Sequence, residues 1–165
     1  MKNSPLAKYI DFIESPIGLI EICATEEAIA SILFIEPSEK KEVKSAALVQ
    51  KCINQLDEYF YGQRQEFNLP LAPAGTTFQK SVWNELSKIP YGATTSYLEI
   101  GKRIGNPKAV RAIGGANGKN PITVIVPCHR VIGANGKLVG YGGGLWRKEW
   151  LLEHERKHRK EIQSD

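Results

Sequence analysis

Apolar positions in the first part of the chain change their period once. Residues 8–14 and 18–23 alternate loosely and are rich in Ile, and Ser15-Pro16-Ile17-Gly18 between them is a turn signal. Residues 28–34 form a third apolar run, so the pattern predicts a small antiparallel sheet. Between Lys41 and Tyr61 the residues Ala46, Val49, Ile53, Leu56 and Phe60 recur at alternating intervals of three and four. That spacing predicts one face of a helix, with Gly62 placed to end it. Leu69-Pro70-Leu71-Ala72-Pro73-Ala74-Gly75 then reads as a linker.

Beyond the linker the pattern is helical and heavily punctuated. Phe78, Val82, Leu86 and Ile89 mark a helix capped by Thr76 or Thr77. Ser96-Tyr97-Leu98-Glu99 has the form of a capping box opening a short helix that ends near Gly105. Asn106 is expected to cap another helix with Pro107 at its first position. Two short helices joined by a tight turn form a helix-turn-helix signal. An apolar run from Ile122 to Val126 reads as a buried strand, and Asn135-Gly136 is a hairpin turn signal within Val131–Val139, placed as a wing. A last helix is expected from Leu145 to the region of His154. The chain is thus predicted to hold an α/β N-terminal domain over residues 1–72, with a small antiparallel sheet and a helix. A mostly helical, winged helix-turn-helix domain is predicted over residues 76–165.

Composition narrows the class. With 165 residues, 42% apolar and 24% charged, the chain is ordinary globular protein. No apolar run approaches the roughly 20 residues that span a bilayer, so no membrane partner is expected. The segment Met1-Lys2-Asn3-Ser4-Pro5 has no apolar signal core. Cys23, Cys52 and Cys128 are odd in number and widely spaced, which suits a reducing compartment. The expected location is the cytoplasm, or the nucleus if the source is eukaryotic. Charge changes the picture more. Residues 1–72 carry 7 Lys and Arg against 11 Asp and Glu, whereas residues 73–165 carry 15 against 7. The C-terminal tail contributes Arg156, Lys157, Arg159 and Lys160, yet without it the excess remains. A polyanion such as nucleic acid is the expected partner of the second half.

Two segments carry candidate chemistry. In the helix after Pro107, Ala109 and Ile113 can pack inward while Arg111, about 200° around at 100° per residue, points away from both. Gly114, Gly115 and Gly118 follow, and each weakens a helix by about 1 kcal/mol relative to alanine. Either this helix end packs tightly on a neighbour, or it presents a low surface to a DNA groove. A typical major-groove reader would carry several long polar side chains here, so the DNA reading favours the minor groove. Pro127-Cys128-His129-Arg130 places a thiol beside an imidazole. An unperturbed thiol is only a few per cent thiolate at pH 7, and a nearby imidazole would raise that fraction. The alternative is a buried structural cysteine beside a polar loop. Glu155 could orient His129 or lie on the surface, and Tyr141-Gly142-Gly143-Gly144 could offer N–H groups or merely turn. Cys23 and Cys52 read as packing residues.

The run Ile125-Val126-Pro127-Cys128-His129-Arg130-Val131 resembles the active-site signature of the O6-alkylguanine-DNA alkyltransferases. Similar segments are Phe78–Trp83, Pro90-Tyr91-Gly92, Thr95-Ser96-Tyr97, Gly105–Ala116 and Asn120-Pro121. Tyr141, Gly143, Gly144, Leu145, Lys148–Leu152 and Glu155 complete the likeness. It is nearly continuous from residue 76 to 155 and weaker over residues 9–72.

This resemblance implies a ribonuclease H-like N-terminal domain and a single-use transfer of an alkyl group from O6-alkylguanine, or O4-alkylthymine, in double-stranded DNA. Cys128 would be the acceptor. His129 would take the thiol proton through a water, backed by Glu155, with Asn120 supporting the loop. Tyr97 would aid flipping of the damaged nucleotide and donate a proton to the leaving guanine. Arg111, beside Ala112, Gly114 and Gly115 on the DNA face, would fill the gap in the stack. Lys148 and the Gly142 N–H would support the leaving group, Tyr141 would line the substrate site, and carbonyls of Cys128 and Val131 would read the base amine. No cofactor is implied. Zinc in some members uses N-terminal Cys and His, and with no His before His129 no such site is expected. A monomer is expected. The alternatives are a non-enzymatic binder of alkylated DNA, which would lack the acceptor cysteine, a winged-helix transcription regulator with sequence preference, and a cysteine hydrolase with multiple turnovers.

Overall fold

The computed structural model describes residues 7–133, 136 and 140–163, with side chains to residue 159. Two compact units are present. The first runs to Ala74 and also takes in Pro121–Thr123, while the second holds Gly75–Asn120 and the chain from Val124 onward.

In the first unit β1 (Tyr9–Ser15), β2 (Gly18–Ala24) and β3 (Ile29–Phe34) form an antiparallel sheet in that order. Ser15 pairs with Gly18, so Pro16-Ile17 is a two-residue turn, and Ser15 Oγ accepts the Ile17 N–H at 3.2 Å. Central β2 is buried on both faces from Leu19 to Ala24, which is why its alternation is weak in sequence. The amphipathic helix α1 (Ala47–Phe60) packs Val49, Cys52, Leu56 and Tyr59 into the core against β1 and β2. It starts where that spacing starts, with Ala46 as its N-cap. Ile10 and Lys44 exchange both backbone hydrogen bonds at 2.9 Å, which holds the preceding residues extended beside β1.

The free edge of β3 is covered within the same unit. Ile29 N–H donates to Pro70 O at 2.8 Å, and Ala72 N–H to Ile29 O at 2.9 Å. Further along, Ile32 N–H donates to Pro121 O at 2.8 Å, and Thr123 returns both its N–H and its Oγ1 to Ile32 O. Covering an edge in this way leaves no unpaired ladder for another chain. The run Ile122–Val126 is therefore not the strand expected. It makes one parallel bridge, Ile122 to Ile32, and then turns through Val124 at φ 69°.

The second unit packs α2 (Thr77–Leu86), α3 (Tyr97–Arg103) and α4 (Val110–Gly118) on one another. Val82, Trp83, Leu86, Ile100, Ile113 and Ala116 are buried among them. Thr76 caps α2 in a full capping box with Gln79, both bonds at 3.0 Å. Ser96 caps α3 through Oγ, accepting Glu99 N–H at 3.1 Å. Close approach of the α3–α4 turn depends on Gly101, because a Cβ there would lie 2.9 Å from Asn106 O. The capping expected of Asn106 and Pro107 is not found. Gly105 at φ 79° sends residues 106–108 through a turn closed by Ala109 N–H on Asn106 O, and α4 begins only at Val110.

Two-residue strands β4 (Thr95–Ser96) and β5 (Val131–Ile132) pair in parallel. The tip of the hairpin expected over 131–139 falls on residues 134, 135 and 137–139, outside the described residues. The last helix, α5 (Leu145–Gln163), outruns its expected end. Trp150, His154 and His158 recur every fourth residue and stack at centroid distances of 4.7 and 4.4 Å, continuing one face past His154. Among the described residues no helix is long and apolar enough to cross a membrane.

Candidate active site

The loop from Asn120 to Val131 is held by its own backbone. Pro127, at φ −82° and ψ 65°, forms an inverse γ-turn, with Cys128 N–H donating to Val126 O at 2.8 Å. Cys128–Arg130 then make one 3-10 turn. Asn120 is buried and its Nδ2 donates to Val126 O at 2.8 Å, which ties the start of the loop to the residue before the γ-turn proline. Val124, a buried β-branched residue at positive φ, stores about 1–3 kcal/mol in that loop.

Three charged or titratable side chains meet behind the turn. His129 Nε2 lies 2.7 Å from Glu155 Oε2. Arg130 grips the same carboxylate with both prongs, Nε on Oε1 at 2.8 Å and Nη2 on Oε2 at 2.9 Å, and gives Nη1 to Ile89 O at 2.6 Å. Gly92, at φ 79°, adds its N–H to Oε1 at 3.3 Å. His129, Arg130 and Glu155 are all buried. Burial alone would raise the Glu155 pKa, but His129 and Arg130 outweigh it and hold the carboxyl well below the usual range. Burial lowers the His129 pKa against the pull of Glu155, so the imidazole is neutral at pH 7. A neutral ring facing an ionised carboxylate carries its proton on Nε2. Nδ1 is then a bare acceptor, and it is buried with no protein hydrogen bond.

Cys128 sits at 3% exposure. Burial pushes its thiol up to about 11, while Asn120 and Lys148 pull it back. The resting group is therefore a thiol that needs a base. Fully buried Lys148 donates to Gly140 O at 3.3 Å. Burial lowers its pKa, and the field of Cys128 raises it again. Tyr97 and Tyr141 have raised pKa values, first from burial and then from the Cys128 charge. Asn117, buried on α4, gives Nδ2 to Cys128 O at 3.4 Å and pulls the Tyr97 pKa back against its burial. Asn117 Oδ1, His129 Nδ1 and Tyr141 Oη are buried without hydrogen-bond partners. Such a cluster of unsatisfied atoms around one thiol is rare in a finished core and marks a polar ligand site.

The thiol thus draws together Cys128, His129, Glu155, Asn120, Tyr97, Tyr141 and Lys148. Val131 is the buried residue that closes the 3-10 turn, with its N–H on Cys128 O. Gly142 is exposed, and a Cβ there would make ordinary contact with Gly118 O at 3.5 Å. The α4 residues form a separate surface. Arg111, Ala112 and Gly115 are exposed and Gly114 is half-buried, while Ile113, Ala116 and Asn117 face inward. A Cβ added at Gly114, Gly115 or Gly118 would meet nothing within 4 Å. Tight packing on a neighbouring helix therefore does not explain these glycines, and a low external surface does.

Sequence reasoning gave no role to Arg130 or Asn117. Arg130 stood inside the quoted motif, but its partner is 25 residues away. Asn117 lies four residues from Ile113, and that spacing alone would have put an amide on the buried face of α4.

Residues 77–157 match the family described as 6-O-methylguanine DNA methyltransferase, DNA binding domain. Residues 8–73 match the 6-O-methylguanine DNA methyltransferase, ribonuclease-like domain. A methylated-DNA–protein-cysteine methyltransferase of Methanosarcina acetivorans is 51% identical over 152 residues, covering 89% of this chain and 97% of the relative. One from Mycolicibacterium paratuberculosis is 46% identical over 150 residues, covering 88% and 91%. The crystal structure of Mycobacterium tuberculosis OGT in complex with DNA superposes with a TM-score of 0.84 at 44% identity, covering 92% of this chain and 94% of that one. With both of its parts matched in order, and with relatives this similar over nearly their whole length, the chain belongs to the 6-O-methylguanine DNA methyltransferase family.

Proposed function

We propose that the protein repairs DNA by direct reversal, moving an alkyl group from O6 of guanine in duplex DNA onto Cys128, once per molecule. The observation that carries this reading is the neutral His129, whose Nε2–H is committed to Glu155 while its buried Nδ1 stays bare. The thiol proton passes through a water to Nδ1, and Glu155 stabilises the imidazolium. The Cys128 thiolate attacks the alkyl carbon, the C–S bond forms as the C–O6 bond breaks, and the electron pair goes to guanine. Tyr97 supplies a proton to the leaving base, with Lys148 and the Gly142 N–H at hand. The product is a thioether, and nothing in the reaction releases it. The odd number and wide spacing of the cysteines support a reducing cytoplasm as the setting.

Intact mass after incubation with O6-methylguanine duplex is the direct test. The expected gain is one methyl group per chain, on Cys128 and on neither Cys23 nor Cys52. Sustained turnover would sink the proposal.

A base in the stack hides its O6 from a buried thiol, so the nucleotide must flip. The exposed Arg111 on the glycine-flattened face of α4 is the filler for the gap, and Tyr97, close enough to the thiol to feel its charge, aids the flip. Arg111→Ala is expected to slow repair of duplex at least tenfold and to leave the reaction with free O6-benzylguanine nearly unchanged. His129→Ala should slow both substrates. Paired rate measurements decide the matter, and equal loss on both substrates for Arg111→Ala would reduce Arg111 to a structural residue.

A further inference from the structure

The turn that carries Tyr141 and Gly142 is built from residues with little intrinsic constraint. Tyr141 is followed by Gly142, Gly143 and Gly144, and Gly144 stands at φ 95°. Gly144 N–H donates to Tyr141 O at 2.8 Å and closes the turn. Consecutive glycines have the most backbone freedom to lose, yet the Gly142 N–H can serve a leaving group only from a fixed place. The first turn of α5 supplies a restraint. It holds no acidic residue and two cations, Arg147 and Lys148. Cations at a helix N-terminus oppose the macrodipole, so helix stability does not account for them. Both reach back to the preceding loop. Lys148 donates to Gly140 O at 3.3 Å, and Arg147 Nη1 donates to Gly143 O at 2.7 Å. The guanidinium of Arg147 also lies over the Trp146 ring, with Cζ 4.6 Å from the centroid. Trp146 is 56% exposed, so its ring is not there to fill the core. It packs against the turn instead, since a Cβ at Gly144 would lie 3.4 Å from its Cδ1. On the inner side, the buried Tyr141 hydroxyl feels the charges of both Cys128 and Arg147.

We propose that Arg147, backed by the Trp146 ring, is a positioning residue for alkyl transfer: it clamps Gly143 O and so holds the Tyr141–Gly144 turn, with its Gly142 N–H, in place at the site. The clamp acts through the turn and not on the reacting atoms. A planar guanidinium suits the task, because it can stack on an indole and donate in its own plane at the same time. A group displaced by about 1 Å can lose about a hundredfold in rate, and three glycines without a brace allow that displacement. This rests on the proposed alkyl transfer and adds to it how the leaving-group side of the site is kept in order.

The test compares two alkyl donors on the full chain. Methyl transfer from O6-methylguanine duplex calls on the turn to support the departing base. Iodoacetamide alkylates the same thiol by displacement of iodide, the C–S bond forming as the C–I bond breaks, and iodide needs no such support. Both reactions are followed at Cys128 by intact mass and peptide mapping, with duplex at saturation so that a lost DNA contact does not count. Arg147→Ala is expected to slow methyl transfer by about tenfold or more and to leave the iodoacetamide rate essentially unchanged. Trp146→Ala should lose less in the same direction, and Trp146→Phe, which keeps a ring under the guanidinium, should recover most of it. Arg147→Lys keeps the charge without the planar stack and is expected to stay near the Ala variant. Hydrogen exchange of the peptide holding Tyr141–Gly144 should quicken in Arg147→Ala while the core is unchanged. Full recovery by Lys, equal loss with both reagents, or unaltered exchange in the turn would each overturn the inference. Absence of methyl transfer in the unmodified protein would instead overturn the proposed function, and the exchange of the turn would still decide the clamp.

Discussion

Cys128→Ala is expected to abolish alkyl transfer completely while leaving duplex affinity essentially unchanged. Three cysteines are present, and only one has the surroundings for the chemistry. Cys52 packs in the core face of α1, and burial pushes its thiol to about 12. Cys23 lies in central β2, where burial lifts it to about 11 and the Glu21 carboxylate adds to the rise. Neither has an imidazole. Cys128 is equally buried and also lifted to about 11, but it has a bare His129 nitrogen nearby and the positive charge of Lys148 acting on it. The same burial that makes a thiol inert elsewhere serves here to keep the thiolate hidden until a base and a substrate are both in place. Truncation to Ala removes one heavy atom at a cost of about 1 kcal/mol, as for a lost methyl group. The fold and the α4 surface should survive. The measurements are intact mass for transfer and a gel-shift titration for binding. Transfer persisting in Cys128→Ala, mapped to Cys23 or Cys52, would contradict the assignment.

Much of the fold was legible because local pattern and tertiary outcome agree. The three-and-four spacing from Ala46 to Phe60 became α1, and Thr76 and Ser96 cap the helices they precede. At residues 122–126 long-range backbone pairing overrode a local signal, whereas at residues 105–109 a local turn did. The run at 122–126 looked like a strand because it is apolar and buried. Its hydrogen bonds go to Ile32, and it turns at Val124, a left-handed conformation that no propensity predicts for valine.

The site divides in the same way. Cys128 and His129 are adjacent in sequence, so their partnership was visible at once. The place of Glu155 depended on a helix returning to the turn, and the residues alone left it as readily a surface glutamate. Arg130 was read with the motif but not as the second grip on Glu155. A charge-balanced buried trio spread over 26 residues leaves no local trace. The glycines of α4 were ambiguous until the open space above them was seen.

That trio carries the second large effect. Glu155→Ala is expected to cost about 3–5 kcal/mol of stability, because it strands a buried Arg130 guanidinium. Against a total of about 5–15 kcal/mol, the variant should be near its limit at 37 °C. Glu155→Gln keeps an acceptor for His129 or Arg130, loses the charge, and should fall between the two. It separates stability from chemistry, since the neutral amide of a folded Gln variant no longer stabilises the imidazolium that forms on His129, and alkyl transfer should slow by orders of magnitude even below its melting temperature. The effect on stability depends on pH in a defined direction. The Glu155 carboxyl is held below its unfolded value of about 4.3, so its contribution is complete above that pH and is lost as pH falls toward the folded value. His129, kept neutral by burial, acts in the same direction, because below about 6.5 the unfolded chain takes up a proton that the folded one refuses. The gap in urea midpoint between the unmodified protein and Glu155→Gln should therefore be widest near pH 7 and close progressively below about pH 4. A gap that stayed constant across that range would mean that the buried carboxylate contributes packing and no charge.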